Sequence, residues 1–303
     1  MKTSIDSARI GELKNRLAES VRICVREELL EIFGHVSARD PQSKRIFVLR
    51  HLHERLDKVT AKDIIEVDES GRAVSGKPEP PKEVFLHAAI YRKRQDVHAV
   101  VYSHPLYSTI LGVLGKPILP LLANCTFIKS GIRLFDVPRY IGSAEVAELM
   151  IKALDSSVAL LLRGSGLVTV AQNIQEATLL SILIEKSAKI QYMASAIGEP
   201  RAIVADEMPG KFGSMPTHFF ESTWGHYVSK SKPPAQRASA WFERRRRVIA
   251  NSGSRRVIRF ELTPDSIRGV ERLERFEPAP GRAMVHKFDT IVAKASKVHH
   301  CKT

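Results

Sequence analysis

Between residues 83 and 196 the chain switches repeatedly between the two apolar periods that regular backbone allows, and this alternation limits the available folds more than any other feature. Residues 83–93 (Glu-Val-Phe-Leu-His-Ala-Ala-Ile-Tyr-Arg-Lys) place apolar side chains at helical spacing, while 97–103 (Val-His-Ala-Val-Val-Tyr-Ser) form a nearly continuous apolar run of strand length. The pattern predicts further strands near 132–137, 158–162 and 167–170 and a long helix over 174–196. Helices and strands that take turns in this way bury their apolar faces on one another in layers. The reading is an α/β sandwich.

The front of the chain adds a helix. Ile10, Leu13, Leu17, Val21, Val25, Leu29 and Ile32 recur every three to four residues, which predicts one amphipathic helix over 8–32 closed by Gly34. Short apolar runs at Ile46–Leu49 and Ile64–Val67 read as strands, the second before the turn signal Glu69-Ser-Gly71-Arg, which suggests a hairpin. Pro78-Glu-Pro80-Pro81 fixes φ and removes backbone donors, so it is a stiff loop that delivers Glu83 to a helix start. After Gly198-Glu-Pro200 the pattern weakens, with breakers at Met208-Pro-Gly210 and Lys230-Ser-Lys-Pro233-Pro234 before a helix-like stretch over 235–249. This sets a boundary near 200, dividing a domain at 1–200 from an extension at 201–303.

Charge separates the same two parts. The chain of 303 residues carries a net +14, and 201–303 holds 20 Lys and Arg against 10 Asp and Glu, so most of the excess lies in the extension. Its densest points are Arg244–Arg247 and Arg255-Arg256. Such runs suit acidic partners, but no aromatic-interleaved groove accompanies them, so nucleic acid is not the expected partner and a solvated or inter-subunit face is. With no apolar run near the ~18–20 residues of a membrane span and no apolar signal core at the N-terminus, a cytoplasmic protein with no membrane partner is expected. Cys24, Cys125 and Cys301 fit neither a disulfide framework nor a zinc spacing.

Chemistry concentrates around the strand at 97–103. Side chains alternate along a strand, so His98, Tyr102 and His104 share a face; His98 is about 20 Å from His104, while Tyr102 and His104 are about 7 Å apart at their backbones. Pro105 ends the ladder and opens the strand end. Glu83 is either an ordinary helix N-terminal glutamate favoured by the dipole or an acid/base group whose pKa burial raises toward neutrality. His87, one turn on, reads as a packing residue.

Four segments, Gly34-His35-Val-Ser37-Ala-Arg39-Asp-Pro, Glu83-Val-Phe-Leu-His87, Asp96-Val-His98-Ala-Val-Val-Tyr102-Ser-His104-Pro and Leu161-Leu-Arg163-Gly-Ser165-Gly166, resemble the class II aldolase/adducin family in order, spacing and flanking apolar pattern. The resemblance covers roughly residues 10–200. It implies a three-layer α/β/α fold on a central mixed, mainly antiparallel sheet, here with a basic C-terminal extension, assembled as a ring-like homotetramer with sites at subunit contacts. It also implies Glu83 as the acid/base carboxylate and a divalent cation on three histidines. This sequence matches only one of the three: His104 stands directly, Tyr102 occupies the first ligand position and Ser165 the third. No tightly bound cofactor is therefore expected; a retained metal would be zinc, manganese or iron on His104 and Tyr102, the metal supplying the tyrosine's deprotonation.

The family's anion-binding turn corresponds to Gly34-His35-Val-Ser37, and the serines that precede the acid/base glutamate are Pro81 and Lys82 here. Losing those hydroxyls argues against a sugar phosphate, whereas His35, Lys82, Arg50, His51 and His53 offer positive groups to a carboxylate. His51 and His53 read equally well as solvent-exposed loop residues. The His35 variant, with Lys44-Arg-Ile-Phe-Val and Val59-Thr-Ala-Lys-Asp-Ile-Ile, most resembles the branch containing hydroxyphthalate-type decarboxylases. The expected function is a lyase on a small carboxylated, aromatic or polyketide-like substrate, acting through an enolate-like intermediate that Tyr102 and His104 stabilise as hydrogen-bond donors. The alternative is a non-catalytic adducin-like assembly module with a basic tail.

Overall fold

The computed structural model describes residues 2–51, 55–128, 132–207 and 217–231. Contacts within the chain separate at Ser231, and residues 232–303, with the arginine runs and the helix-like stretch over 235–249, lie outside the described residues. His53 lies outside them as well.

Seven strands form one sheet: β1 (His35–Arg39), β2 (Ile46–Leu49), β3 (Ile64–Val67), β4 (Ala99–Ser103), β5 (Arg133–Phe135), β6 (Ala159–Leu162) and β7 (Gly166–Ala171). Their spatial order is β3-β2-β1-β4-β7-β6-β5, antiparallel throughout except for the parallel pair β5 and β6. The helices are α1 (Lys2–Arg26), α2 (Val84–Lys93), α3 (Leu106–Val113), α4 (Ala144–Leu154), α5 (Ile174–Ser195) and α6 (Thr217–Ser231). None of the described helices is long and apolar enough to cross a membrane.

Strand alternation sorts the helices into two outer layers. Ala99 and Val101 of β4 join Leu17, Val21, Leu179 and Ile182 of α1 and α5, while Val100 and Tyr102 join Leu86, Ile90 and Met150 of α2 and α4. Farther along the α5 face, Leu161 and Leu167 pack with Leu111 of α3 and with Ile184 and Ala188. Both faces of the central strands are covered, and this explains why β4 and β6 read as unbroken apolar runs rather than alternating ones. The architecture is the expected three-layer α/β/α fold.

Three elements differ from the sequence reading. Helix α1 stops at Arg26 instead of running to Ile32: Glu28 turns left-handed (φ 60°) and the Leu29 N–H donates to Cys24 O at 2.8 Å. Leu29 and Leu30 fold inward at 1% exposure, leaving Ile32 at 74% and Phe33 at 66%. The turn after β3 closes only one antiparallel bridge, Val67 with Ala73, so no full hairpin forms there. The turn implied at Gly34–Ser37 is instead the entry to a strand, His35–Arg39, paired with β2 on one side and β4 on the other.

Close backbone approach at the end of β4 depends on two glycines. Gly34, at φ 100°, leaves no room for a Cβ, which would lie 2.7 Å from Tyr102 O; at Gly166 a Cβ would meet Ser103 O at 2.0 Å. Beyond them Glu185 of α5 pins the start of α3, accepting from the Tyr107 and Ser108 N–H groups at 2.8 and 2.9 Å. His104 is thereby held between two fixed segments, and its own N–H donates to Leu29 O at 3.0 Å.

Candidate active site

The register of β1 on β4 places His35 opposite Tyr102, and the N-terminus of α2 brings Glu83 to the same place. Glu83 is the N-cap residue of α2, yet its carboxylate does not cap the helix; Oε2 accepts from His35 Nε2 at 3.3 Å. Both residues are 8% exposed. Burial acts to raise the Glu83 pKa, but the hydrogen bond and charge of His35, with a backbone N–H and the Tyr140 hydroxyl, outweigh it and bring it down to about 2. This corrects the expectation of a carboxyl tuned toward neutrality: a paired carboxylate stays ionised, so the resting group is a base.

His87 and Ser37 lie beneath this pair. The His87 ring stands edge-on to His35 at 6.4 Å between centroids, its Nδ1 is 2.7 Å from Ser37 Oγ, and Ser37 Oγ is 2.7 Å from the Tyr91 hydroxyl. Ser37 is fully buried in this chain of polar groups and points inward. Burial brings the His87 pKa down to about 3. A histidine neutral in the fold but protonated when unfolded contributes fully to stability above its unfolded pKa near 6.5 and loses that contribution as pH falls toward 3, because the unfolded chain binds the extra proton. Stability should therefore drop by up to about 1.4 kcal/mol per pH unit below 6.5 from this group alone. Chemical denaturation at pH 7.0 and 5.0 measures it, and His87→Phe should flatten the dependence.

Across β4, the Tyr102 hydroxyl is 2.7 Å from Ser165 Oγ, and burial raises its pKa to about 12. The His104 ring lies against Tyr102 with centroids 4.8 Å apart, and Phe33 stands edge-on to it at 6.3 Å. His104 Nδ1 is 2.6 Å from Ser165 O. A carbonyl oxygen can only accept, so Nδ1 carries the proton and Nε2 of the neutral ring is left as an acceptor. This reverses the donor role expected of His104. Burial also lowers its pKa, which favours that neutral ring.

The other candidates are dispersed. Arg50 Nε pairs with Asp63 Oδ1 at 3.2 Å, Lys82 is exposed, and the His51 N–H donates to Glu79 O at 3.0 Å. His98 precedes β4, its N–H donating to Ala171 O at 2.8 Å. Tyr140 was not anticipated. It follows β5, its ring lies over Gly142, and its hydroxyl interacts with Glu83. The only signal for it is an aromatic residue in a Pro-Arg-Tyr-Ile-Gly loop, which identifies no role without the fold.

Residues 15–192 match the family described as Class II Aldolase and Adducin N-terminal domain, and the chain belongs to that family. A 3,4-dihydroxyphthalate decarboxylase of Arthrobacter keyseri is 27% identical over 233 residues, covering 72% of this chain and 93% of the relative. A 5-deoxy-D-ribulose 1-phosphate aldolase of Bacillus thuringiensis serovar kurstaki is 29% identical over 146 residues, 48% of this chain and 68% of the relative. Among solved structures, the L-fuculose 1-phosphate aldolase from Glaciozyma antarctica PI12 superposes with a TM-score of 0.64 at 25% identity, covering 74% of this chain and 90% of its own.

Family resemblance implies a divalent cation, and the donor set at this site does not fit one. A catalytic zinc takes about three protein ligands, usually imidazole, thiolate or carboxylate. Here the strand end offers one imidazole nitrogen, a phenol hydrogen-bonded to a serine hydroxyl, and that hydroxyl. Among the described residues no group of three His, Cys, Asp or Glu side chains is arranged to hold a metal.

Proposed function

We propose that the chain is a metal-independent lyase that decarboxylates a small hydroxyaryl or related carboxylate through an enolate-like intermediate. The observation that carries this reading is the ionised Glu83, paired with His35, facing a Tyr102–Ser165 hydroxyl pair where the family places metal ligands. Glu83 carries a proton from the substrate hydroxyl to the ring carbon that bears the carboxylate, which leaves a carbonyl beside that carbon; the bond to CO2 then breaks, and its electron pair moves into the carbonyl oxygen as the ring regains its aromatic form. The Tyr102 O–H, already oriented by Ser165, donates to that oxygen; a preorganised donor of this kind acts in the transition state without reorganisation. The carbon keeps the proton that Glu83 delivered, Glu83 returns to its hydrogen bond with His35, and the phenolate oxygen takes a proton from solvent.

The decarboxylase relative supports this choice over sugar-phosphate cleavage, since its match extends over 72% of this chain against 48% for the 5-deoxy-D-ribulose 1-phosphate aldolase. The exposed Ile32, Phe33 and Leu106 beside His104 give the site an apolar rim, which suits the subunit contacts of a homotetramer. CO2 release from a panel of hydroxyaryl carboxylates tests the proposal. Release abolished by Tyr102→Phe is the expected result; no release and no binding from any member of the panel would favour the adducin-like assembly module.

A further inference from the structure

Resting on the decarboxylase reading, we infer that His104 is a specificity-determining residue that recognises a substrate hydroxyl as a hydrogen-bond donor. Its tautomer is fixed by the protein: Nδ1–H is held on Ser165 O at 2.6 Å, and the backbone on both sides is locked by the Leu29 carbonyl and by the pinned start of α3. While the ring is neutral, its other nitrogen cannot become a donor without losing that bond. Nε2 is buried and has no partner among the described residues, and the same holds for His35 Nδ1 and His87 Nε2 in the same cluster. Leaving a buried polar atom unpaired costs about 1–3 kcal/mol, so an acceptor held this way calls for a donor brought by the ligand.

A carboxylate oxygen cannot be that donor, and an ionised carboxylate would meet a lone pair. A hydroxyl can. The rings of Tyr102 and Phe33, with centroids 4.8 and 6.3 Å from that of His104, give the imidazole aromatic neighbours, which suits a flat ring bearing the hydroxyl. The substrate class this assigns is an aryl carboxylate with a free hydroxyl on the neighbouring ring carbon. Its hydroxyl donates to His104 Nε2, and its methyl ether, having no proton to give and more bulk, is refused.

Two measurements on the full chain test this. Histidine 15N NMR of the ligand-free protein should show His104 neutral with the proton on Nδ1; a proton on Nε2 would overturn the inference whether or not any carboxylate binds. Calorimetry with 2-hydroxybenzoate and 2-methoxybenzoate should then give at least about fivefold tighter binding of the hydroxyl compound, the lower end of the cost of leaving a buried acceptor unpaired. That preference should fall to about one in His104→Phe and return in part in His104→Gln, whose amide oxygen accepts. Equal affinities in the unaltered protein would overturn the hydroxyl role and leave the decarboxylase reading standing. Binding of neither compound would overturn both.

Discussion

Glu83→Gln should lower turnover by about two to four orders of magnitude while leaving the fold in place. Gln keeps the size of the side chain and can still accept from His35, but it holds no charge and cannot take up a proton. General acid–base groups contribute about 10²- to 10⁴-fold to rate, which sets the scale of the loss. The loss in kcat should exceed any change in KM, because the carboxylate acts on the proton and not on the substrate's binding groups. Glu83 is 8% exposed and its carboxylate caps no helix hydrogen bond, so the thermal midpoint should move by only about 2–4 °C, the shift expected for about 1 kcal/mol in a domain of this size. A variant with unchanged kcat would remove Glu83 from the chemistry altogether.

Arg39→Met should be the most damaging single change to stability. Arg39 is 4% exposed and its two Nη atoms donate to the carbonyls of Tyr91 and Val97 at 2.6 Å and of Arg94 and Gln95 at 3.0 Å. These carbonyls end α2 and begin the turn into β4, so one guanidinium ties the helix carrying Glu83 and His87 to the strand carrying Tyr102. Its plane also lies over the Tyr91 ring, 5.3 Å from the centroid. Bonds to a charged donor are each worth about 1.5–3 kcal/mol and are not additive, which gives a loss of about 3–5 kcal/mol and a thermal midpoint lower by roughly 10 °C. Arg39→Lys should recover only a small part, because an ammonium cannot span four carbonyls with a planar fork. A midpoint within about 2 °C of the parent would show that the carbonyls find other partners.

The periodic parts of this fold were legible because burial on two faces leaves a local trace. The strand read at 97–103 is Ala99–Ser103, and the helix read at 174–196 is Ile174–Ser195. Where the outcome depended on distant residues, the sequence misled or was silent. The apolar period continues through Ile32, but the left-handed Glu28 ends α1 early. The family resemblance implied a turn at Gly34–Ser37, and the strand over 35–39 depends on β4 and β2 being present to pair with it. Helix α6 has no strong period of its own and depends on α1 and α5, against which Phe220 and Tyr227 are buried. At the site, residue types were readable and electrical states were not. The Glu83 carboxyl is held below its ordinary pKa by His35, 48 residues away, and Nε2 of the neutral His104 ring is an acceptor because a carbonyl at Ser165 takes its other nitrogen.

In the proposed mechanism hydroxyl groups take over from metal ligands at the end of β4, and elemental analysis joined to a turnover assay on one preparation tests this most directly. Protein purified without added metal should hold well under one equivalent of zinc, manganese or iron, and excess chelator should leave CO2 release unchanged, since one imidazole with a phenol and a serine falls short of a three-ligand site. A stoichiometric cation bound through His104, with activity lost on chelation and restored by that ion alone, would contradict the account and make Tyr102 a ligand instead of a hydrogen-bond donor.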